Sequence, residues 1–258
     1  TGSFTGLAAG TYTYNVSDAN GCTASCSVTI TEPAALVATC SVTANVSCNG
    51  GTDGAADVTA SGGTAPYTGT GSFTGLAAGT YTYNVSDANG CTASCSVTIT
   101  EPAALVATCS VVSHVSCNGG TDGAADVTAS GGTAPYTGTG SFTGLAAGTY
   151  TYNVSDANGC TASCSVTITE PAALVATCSV VSHVSCNGGT DGAADVSASG
   201  GTAPYTGTGS FTGLAAGSYT YNISDANGCT ASCSVTITEP AALVATCSVV
   251  SHVSCNGG

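Results

Sequence analysis

Apolar and polar residues alternate along several short segments of the chain. In 80–87, Tyr81, Tyr83 and Val85 alternate with threonine and asparagine, and in 94–100 cysteine, valine and isoleucine alternate with serine and threonine. Because successive side chains of a β-strand point to opposite faces, this period of two predicts half-buried strands. No segment shows the period of 3.6 residues that is typical of a helix. The sequence therefore predicts an all-β protein.

The same alternation extends over 105–117 and 124–129. The residues expected to face inward are Leu105, Ala107, Cys109, Val111, Val115, Cys117, Ala125, Val127 and Ala129. Asn-Gly, Asp-Gly and Gly-Gly steps separate the segments and supply the positive-φ residues of tight turns. Many short strands with such turns are typical of a β-sandwich. Tyr81, which follows a glycine-containing corner, fits either the tyrosine corner of immunoglobulin-like domains or an ordinary core tyrosine.

The whole pattern recurs with a period of 69 residues. The run Thr-Gly-Ser-Phe-Thr-Gly-Leu-Ala-Ala-Gly begins at residues 1, 70, 139 and 208. A fixed period of this size indicates a linear array in which each unit contacts mainly its neighbours. A Glu-Pro step follows the last strand of each copy, and we place the domain boundaries there because proline stops a strand from running on. The predicted domains are complete repeats at 34–102, 103–171 and 172–240, with partial repeats at 1–33 and 241–258.

The charge of the chain excludes two classes of partner. The chain has no lysine or arginine, and its 14 aspartates and glutamates give a net charge of −14. Nucleic acid and anionic membranes are bound through cations, so neither is an expected partner. No apolar run approaches the roughly 20 residues of a transmembrane helix, and no signal peptide is recognisable. We therefore expect a window of a longer protein whose export signal and anchor lie outside it.

Cysteine is the residue with the strongest chemical signal. There are 16 cysteines, four in each period, at 22, 26, 40 and 48 and at the same positions of the later copies. Such density is typical of an exported, disulfide-bonded protein. No Cys-x-x-Cys pair occurs, which argues against a zinc site. A catalytic residue would have to recur in every copy, and histidine is absent from the first copy, so the sequence predicts neither an enzyme nor a cofactor.

Several motifs together resemble the SprB-type repeat of gliding and surface adhesins of Bacteroidota. The motifs are Val-Ser-Cys-Asn-Gly-Gly-Thr-Asp-Gly at 115–123, Ala-Ser-Gly-Gly-Thr-Ala-Pro-Tyr at 129–136, Gly-Leu-Ala-Ala-Gly-Thr-Tyr at 144–150, Ser-Asp-Ala-Asn-Gly-Cys-Thr-Ala at 155–162 and Val-Thr-Ile-Thr-Glu-Pro at 166–171. The resemblance implies secretion to the cell surface, by that phylum's type IX route, and a role in adhesion, gliding or a surface filament. Cys117 and Cys160 match cysteines that are usual in the family, whereas Cys109 and Cys164 look like additions.

The expected fold is a series of tandem immunoglobulin-like (PKD-like) β-sandwich repeats, and this topology constrains the disulfides. The first strand of such a sandwich can lie beside the last and parallel to it, which favours three pairs inside repeats: Cys40–Cys95, Cys109–Cys164 and Cys178–Cys233. The remaining cysteines of a repeat would lie at opposite ends of the domain. They would then bridge neighbouring repeats, as Cys48–Cys160 and Cys117–Cys229, and form a disulfide-stapled rod. A rival hairpin across the Glu-Pro step would instead bring Cys26 to Cys40 and Cys22 near Cys48.

Two other groups of residues have a plain and a functional interpretation. Asn118, Asp122 and Asp126 are weak candidates for a calcium loop, because the complete loop spacing is absent and Asp-Gly is an ordinary turn. His114 lies on the polar face of its predicted strand and is replaced by Asn45 in the first complete repeat, which favours a solvated surface histidine over a ligand.

Three functions remain as hypotheses. The first is the repeat region of a long surface adhesin or filament that forms an extended stalk and gains affinity by multivalency. The second is an extracellular fibre in which the repeats themselves are the polymer unit and the partners are copies of the same chain. The third is a threonine-rich surface for ice or carbohydrate, carried by outward residues such as Thr80, Thr82, Thr98 and Thr100. The partners expected for the adhesin are neighbouring repeats and a surface or glycan ligand.

Overall fold

A computed structural model describes residues 2–250, and all regular secondary structure in that range is β-strand. No helix capable of crossing a bilayer is found in the described part of the chain. The strands are β1 (Gly10–Ser17), β2 (Thr23–Ile30), β3 (Val37–Ala44), β4 (Gly54–Ser61), β5 (Gly71–Leu76), β6 (Gly79–Ser86), β7 (Thr92–Ile99), β8 (Val106–Ser113), β9 (Gly123–Ser130), β10 (Gly140–Leu145), β11 (Gly148–Ser155), β12 (Thr161–Ile168), β13 (Val175–Ser182), β14 (Gly192–Ser199), β15 (Gly209–Leu214), β16 (Gly217–Ser224) and β17 (Thr230–Ile237).

Each complete repeat contains one three-stranded and one two-stranded antiparallel sheet. In the first complete repeat the sheets have the strand orders β3-β4-β5 and β6-β7. The same pair of sheets recurs as β8-β9-β10 with β11-β12 and as β13-β14-β15 with β16-β17. The partial first repeat contributes only the hairpin β1-β2. The predicted all-β class is confirmed.

The two sheets of a repeat pack face to face around a small core. In the first complete repeat the buried core consists of Val46, Ala56, Val97 and Ile99, with Cys40, Leu76, Tyr81 and Tyr83 packed against it. Burying a side chain such as Ile99 contributes about 1.5–3 kcal/mol, so a core of this size leaves a domain that benefits from crosslinks. The arrangement is the predicted immunoglobulin-like sandwich.

The chain passes from one sheet to the other just after the first strand. β3 pairs with β4, and then the backbone N–H of Val46 donates to the carbonyl of Thr100, at the end of β7 (3.0 Å). The first strand therefore lies beside the last, as the sequence analysis expected. The single long strand expected over 105–117 is not present, because β8 ends at Ser113 and the equivalent strand β13 has a register shift between Val180 and Ser182.

The tyrosine corner is present in every copy. The hydroxyl of Tyr81 donates to the carbonyl of Ala77, four residues upstream (3.1 Å), and Tyr150 and Tyr219 repeat this bond to Ala146 and Ala215. Tyrosine at this position therefore fixes the corner before its strand, in addition to packing against the core.

The described chain divides into two compact units. Among the described residues, the first unit comprises 2–106, 130–137 and 155–161, and the second comprises 107–129, 138–154 and 162–250. The repeat 34–102 lies wholly in the first unit and the repeat 172–240 wholly in the second. The predicted domain boundaries at the Glu-Pro steps stay predictions.

Candidate functional site: the disulfide-bonded junction of successive repeats

One disulfide joins the two sheets inside each complete repeat. Cys40, in the middle of β3, is bonded to Cys95, in the middle of β7, with the two Cα atoms 5.6 Å apart. Cys109–Cys164 and Cys178–Cys233 are the equivalent bonds, at 5.6 and 5.7 Å. These three disulfides join inward-facing positions of the first and last strands of a repeat. They are the pairs that a parallel arrangement of the two strands favours.

A second kind of disulfide joins one repeat to the next. Cys48, in the turn after β3, is bonded to Cys160, in the turn between β11 and β12, and both residues belong to the first compact unit. Within the second unit, Cys117 is bonded to Cys229 in the same way. The Cα–Cα distance is 5.7 Å in both cases. The structure therefore contains two copies of one junction, and it does not contain the rival pairing of Cys26 with Cys40.

A hydrogen bond accompanies each junction disulfide. The side-chain amide of Asn158 donates to the carbonyl of Ser47, at 2.9 Å, and that of Asn227 donates to the carbonyl of Ser116, also at 2.9 Å. The asparagine of the Asn-Gly-Cys motif therefore does more than form a turn. It contacts the preceding repeat directly, a role that the sequence analysis missed because the two residues are 111 positions apart.

The glutamate of the Glu-Pro step holds the turn that carries the junction cysteine. A carboxylate oxygen of Glu101 accepts the backbone N–H of Gly50 at 2.6 Å, and the other oxygen accepts the side-chain amide of Asn49 at 3.1 Å. Asn49 also donates to the carbonyl of Pro102, at 3.1 Å. Glu170 and Glu239 accept from Gly119 and Gly188 in the later repeats. The Glu-Pro step, interpreted above only as a stiff boundary, thus anchors the Cys48 turn to the last residues before the next repeat.

An aspartate stabilises the same turn from its other side. Asp53 accepts the backbone N–H of Ser47 at 3.0 Å, and Asp122 and Asp191 accept those of Ser116 and Ser185. Hydrogen bonds from the serine side chain and backbone hold the pKa of each carboxyl below its usual value. The carboxylate is therefore anionic at neutral pH and fixes the start of the turn.

A buried aspartate organises the opposite turn of the junction. Asp156 accepts the backbone N–H groups of Thr133, Asn158 and Cys160 at 2.8, 2.9 and 2.9 Å, and it is only 6% exposed. The bond from Thr133, followed by those from Cys160 and Asn158, outweighs burial and lowers the pKa of this carboxyl. Backbone N–H groups therefore stabilise the Asp156 carboxylate in a chain that has no lysine or arginine to pair with it.

A cleft of 390 Å³ lies beside the first junction. It is lined by Cys48, Asn49, Ala104, Leu105, Gly159, Cys160 and Thr161. The lining therefore combines the junction disulfide with apolar and uncharged polar residues from two successive repeats.

The three weak calcium candidates each have a separate protein partner. Asn118 donates to the carbonyl of Pro171, Asp122 accepts from Ser116, and Asp126 accepts the hydroxyl of Ser141 at 2.7 Å. Among the described residues there is no group of three or more histidine, cysteine, aspartate or glutamate side chains arranged to hold a metal ion. Calcium binding by this chain stays an untested expectation.

His114 has a structural partner that the sequence did not reveal. Its Nδ1 atom accepts the backbone N–H of Thr169 at 3.1 Å, and His183 repeats this bond with Thr238. In the first complete repeat Asn45 uses its side-chain oxygen to accept from Thr100 at 3.0 Å. Histidine and asparagine therefore place an acceptor at the same point, which explains their exchange between copies.

The outward threonines form hydrogen-bonded pairs across each hairpin. Thr80 bonds to Thr98 at 3.0 Å and Thr82 to Ser96 at 2.9 Å, on the exposed face. The hydroxyls on this face thus bond to one another across the strands. An ice- or carbohydrate-binding array stays a hypothesis.

Comparison with known proteins identifies the repeat. The sequence model of the SprB repeat matches residues 40–68, 110–137 and 179–206. No curated protein sequence matches the chain. Two solved structures with some likeness are the N-terminal eight Ig domains of Down Syndrome Cell Adhesion Molecule and the extracellular domain of Protocadherin GammaB4. The first is 11% identical with a TM-score of 0.26 and 90% of this chain covered, and the second is 17% identical with a TM-score of 0.27 and 88% covered. The chain spans 51% and 58% of the lengths of these two structures.

Proposed function

The chain carries the SprB repeat three times, and we propose that it is the repeat region of a secreted cell-surface adhesin or filament, where it forms an extended stalk crosslinked by disulfides. The density of disulfides supports an extracellular location, because cytosolic thiols are kept reduced. In this proposal the adhesin binds a surface or a glycan.

The junction is the observation that carries the proposal. Successive repeats are joined by the peptide chain at the Glu-Pro step and a second time by Cys48–Cys160 or Cys117–Cys229. A single flexible connection lets neighbouring domains reorient freely, whereas two connections at separate points restrict bending. A surface stalk needs this restriction, because it must hold a binding tip away from the cell and transmit tension.

Pulling a single molecule by its two ends tests the crosslinks. The shortest covalent routes from residue 1 to residue 258 contain about a third of the chain, for example 1–48, 160–178 and 233–258. At about 3.6 Å per residue, we expect a fully stretched length of about 330 Å when oxidised and about 930 Å after reduction. An oxidised length near 930 Å would contradict the crosslinked stalk.

The shape in solution tests the stalk itself. We expect small-angle scattering of the oxidised chain at low concentration to show one elongated particle, and the double variant Cys160→Ser, Cys229→Ser to show a broader range of maximum dimensions. This variant keeps the three disulfides inside repeats, so a loss of rigidity reports on the junction alone. A compact particle, or identical distributions for the two proteins, would remove the basis of the proposal.

A further inference from the structure

The turn that follows the first strand of each complete repeat contains an Asn-Gly step. In the first complete repeat this step is Asn49-Gly50, next to the junction cysteine Cys48, and the later repeats carry it at 118–119 and 187–188. All three steps are exposed to water. Asn-Gly is chemically the weakest peptide step for asparagine, because glycine leaves its backbone nitrogen unhindered. Each turn therefore carries a site at which the chain could be modified without an enzyme.

The modification at such a step is loss of the side-chain amide. The backbone nitrogen of Gly50 would attack the side-chain carbon Cγ of Asn49, the Cγ–Nδ2 bond would break, and the proton of the Gly50 N–H would leave with that nitrogen as ammonia. Water then opens the five-membered imide and leaves aspartate or isoaspartate at position 49. Each conversion adds one negative charge to the turn.

The geometry of the turn explains why the glycine is needed. The N–H of Gly51 donates to the carbonyl of Cys48 at 2.9 Å, and Gly50 has a φ of +75°, as in a type II turn with glycine at the third position. A residue with a side chain rarely adopts this φ, so exchanging the glycine would strain the turn. In a type II turn the second residue has a ψ of about +120°, which points the following nitrogen away from that residue's side chain. The imide can therefore close only after Asn49 rotates out of the turn.

A single carboxylate holds both groups that the reaction must bring together. One oxygen of Glu101 accepts the N–H of Gly50 at 2.6 Å, and the other accepts the side-chain amide of Asn49 at 3.1 Å. The carbonyl of Pro102 accepts the same amide at 3.1 Å. All three contacts recur in the last complete repeat, where Glu239 and Pro240 hold Gly188 and Asn187. The attacking nitrogen and the leaving group are thus both fixed by hydrogen bonds, the shortest of which is charge-assisted.

The charge of the glutamate opposes the reaction as well. The backbone nitrogen of Gly50 must give up its proton to attack, and a nearby negative charge disfavours a second one. The hydrogen bond to Glu101 stabilises the N–H in its protonated form. Rotation of Asn49 towards ring closure would in addition break its bonds to Glu101 and Pro102.

We propose that Asn49, Asn118 and Asn187 are latent modification sites, and that the glutamate of each Glu-Pro step protects them from imide formation. Where this protection fails, the new carboxylate at position 49 faces Glu101, and repulsion between the two releases the turn that contains Cys48. The modification then loosens the junction irreversibly while its disulfide stays intact. The protecting contacts lie within one repeat, so this proposal does not rest on the stalk, and the stretching test is independent of its outcome.

The test incubates the full, oxidised 258-residue chain at alkaline pH and follows each Asn-Gly step by mass spectrometry. After reduction, chymotrypsin cuts behind leucine and tyrosine and releases the peptides 37–67, 106–136 and 175–205. These three peptides are distinguishable, because the first contains Asn45 and the third contains Ser197.

The variant Glu101→Gln replaces one acceptor oxygen by an amide donor and removes the charge. A hydrogen bond to a charged group is worth about tenfold or more in an equilibrium constant, so we expect position 49 to convert at least about tenfold faster than in the parent chain. Asn118 and Asn187 keep their glutamates and should convert at the parent rate in the same molecule.

The matched control is Asp53→Ala, which loosens the same turn by removing the acceptor for the N–H of Ser47 and leaves the contacts of Glu101 in place. Position 49 should convert at close to the parent rate in this variant. Equal acceleration in the two variants would overturn the proposal, because looseness of the turn alone would then govern the reaction.

Two other results would also overturn the proposal. Slower conversion in Glu101→Gln would mean that the carboxylate acts as a base and promotes the reaction. Hydrogen exchange of β4, in peptides that also contain Asn45, shows whether the variant opens the repeat. Acceleration of the conversion that is matched by faster exchange of β4 would assign the effect to unfolding of the repeat.

Discussion

Removal of a single disulfide inside one repeat gives a quantitative test of what stabilises the sandwich. The double variant Cys178→Ala, Cys233→Ala opens one crosslink in repeat 172–240. The two cysteines are 55 residues apart in sequence, and closing a loop of this length restricts the unfolded chain by about 4 kcal/mol on the chain-entropy estimate. Since about 1.4 kcal/mol corresponds to a factor of ten, the equilibrium for opening this repeat should rise about 1,000-fold.

Hydrogen exchange measured by mass spectrometry reports this change repeat by repeat. We expect amides of β16 and β17 to exchange about 1,000-fold faster in the double variant, as long as exchange follows opening of the repeat. Amides of β6 and β7, in the repeat 34–102, serve as an internal reference in the same molecule and should not change, because distant sites are energetically independent.

The control is Cys186→Ala, which removes an exposed cysteine of the same repeat that forms no disulfide. This variant should leave the exchange of β16 and β17 unchanged. An acceleration below tenfold in the double variant would refute the argument that loop closure dominates the stability of the repeat. An equal acceleration in the control would show that the effect does not depend on the disulfide.

Five further substitutions, at four positions, test individual polar groups by urea unfolding, which for Asp87 is repeated at a series of pH values. His114→Asn keeps an acceptor for the N–H of Thr169 and should leave stability unchanged, whereas His114→Leu should lose about 0.5–1 kcal/mol. Tyr81→Phe removes the corner hydrogen bond and should cost about 1 kcal/mol, whereas Tyr83→Phe should be neutral or stabilising because the hydroxyl of Tyr83 is buried without a partner in the described structure. The pKa of Asp87 is lowered, chiefly by a backbone hydrogen bond. Its contribution should therefore be complete above about pH 4 and be lost as the pH falls through the folded pKa, so that Asp87→Asn flattens the acid side of the stability profile.

The fold could be predicted because each strand carries its own signal. The inward positions of β6 and β7 follow strict alternation, and the structure buries Val85, Val97 and Ile99 as expected. The disulfide positions could be inferred for the same reason, since Cys40 and Cys95 lie on the inward faces of strands whose order an immunoglobulin-like sandwich fixes.

Prediction failed where a residue depends on a partner far along the chain. The break after β8 is set by the crossing of the chain to the opposite sheet, and the alternation of residues continues through it. The contact of Glu101 with Gly50 spans 51 residues, and a Glu-Pro step has no local feature that reveals it. His114 is exposed, as expected, but its hydrogen bond to Thr169 was not foreseen because the two residues are 55 positions apart.

These long-range contacts explain how one turn comes to serve two repeats. Glu101 and Pro102 lie between β7 and β8, and they bind the turn that contains Cys48. The turn is therefore placed beside the following repeat by contacts within its own repeat. Asn158 and Cys160 then add one hydrogen bond and one disulfide to a turn that is already positioned. The disulfide therefore locks a contact that already exists. An array of nearly identical repeats can form an equivalent junction at every step, because each repeat contacts only its neighbours.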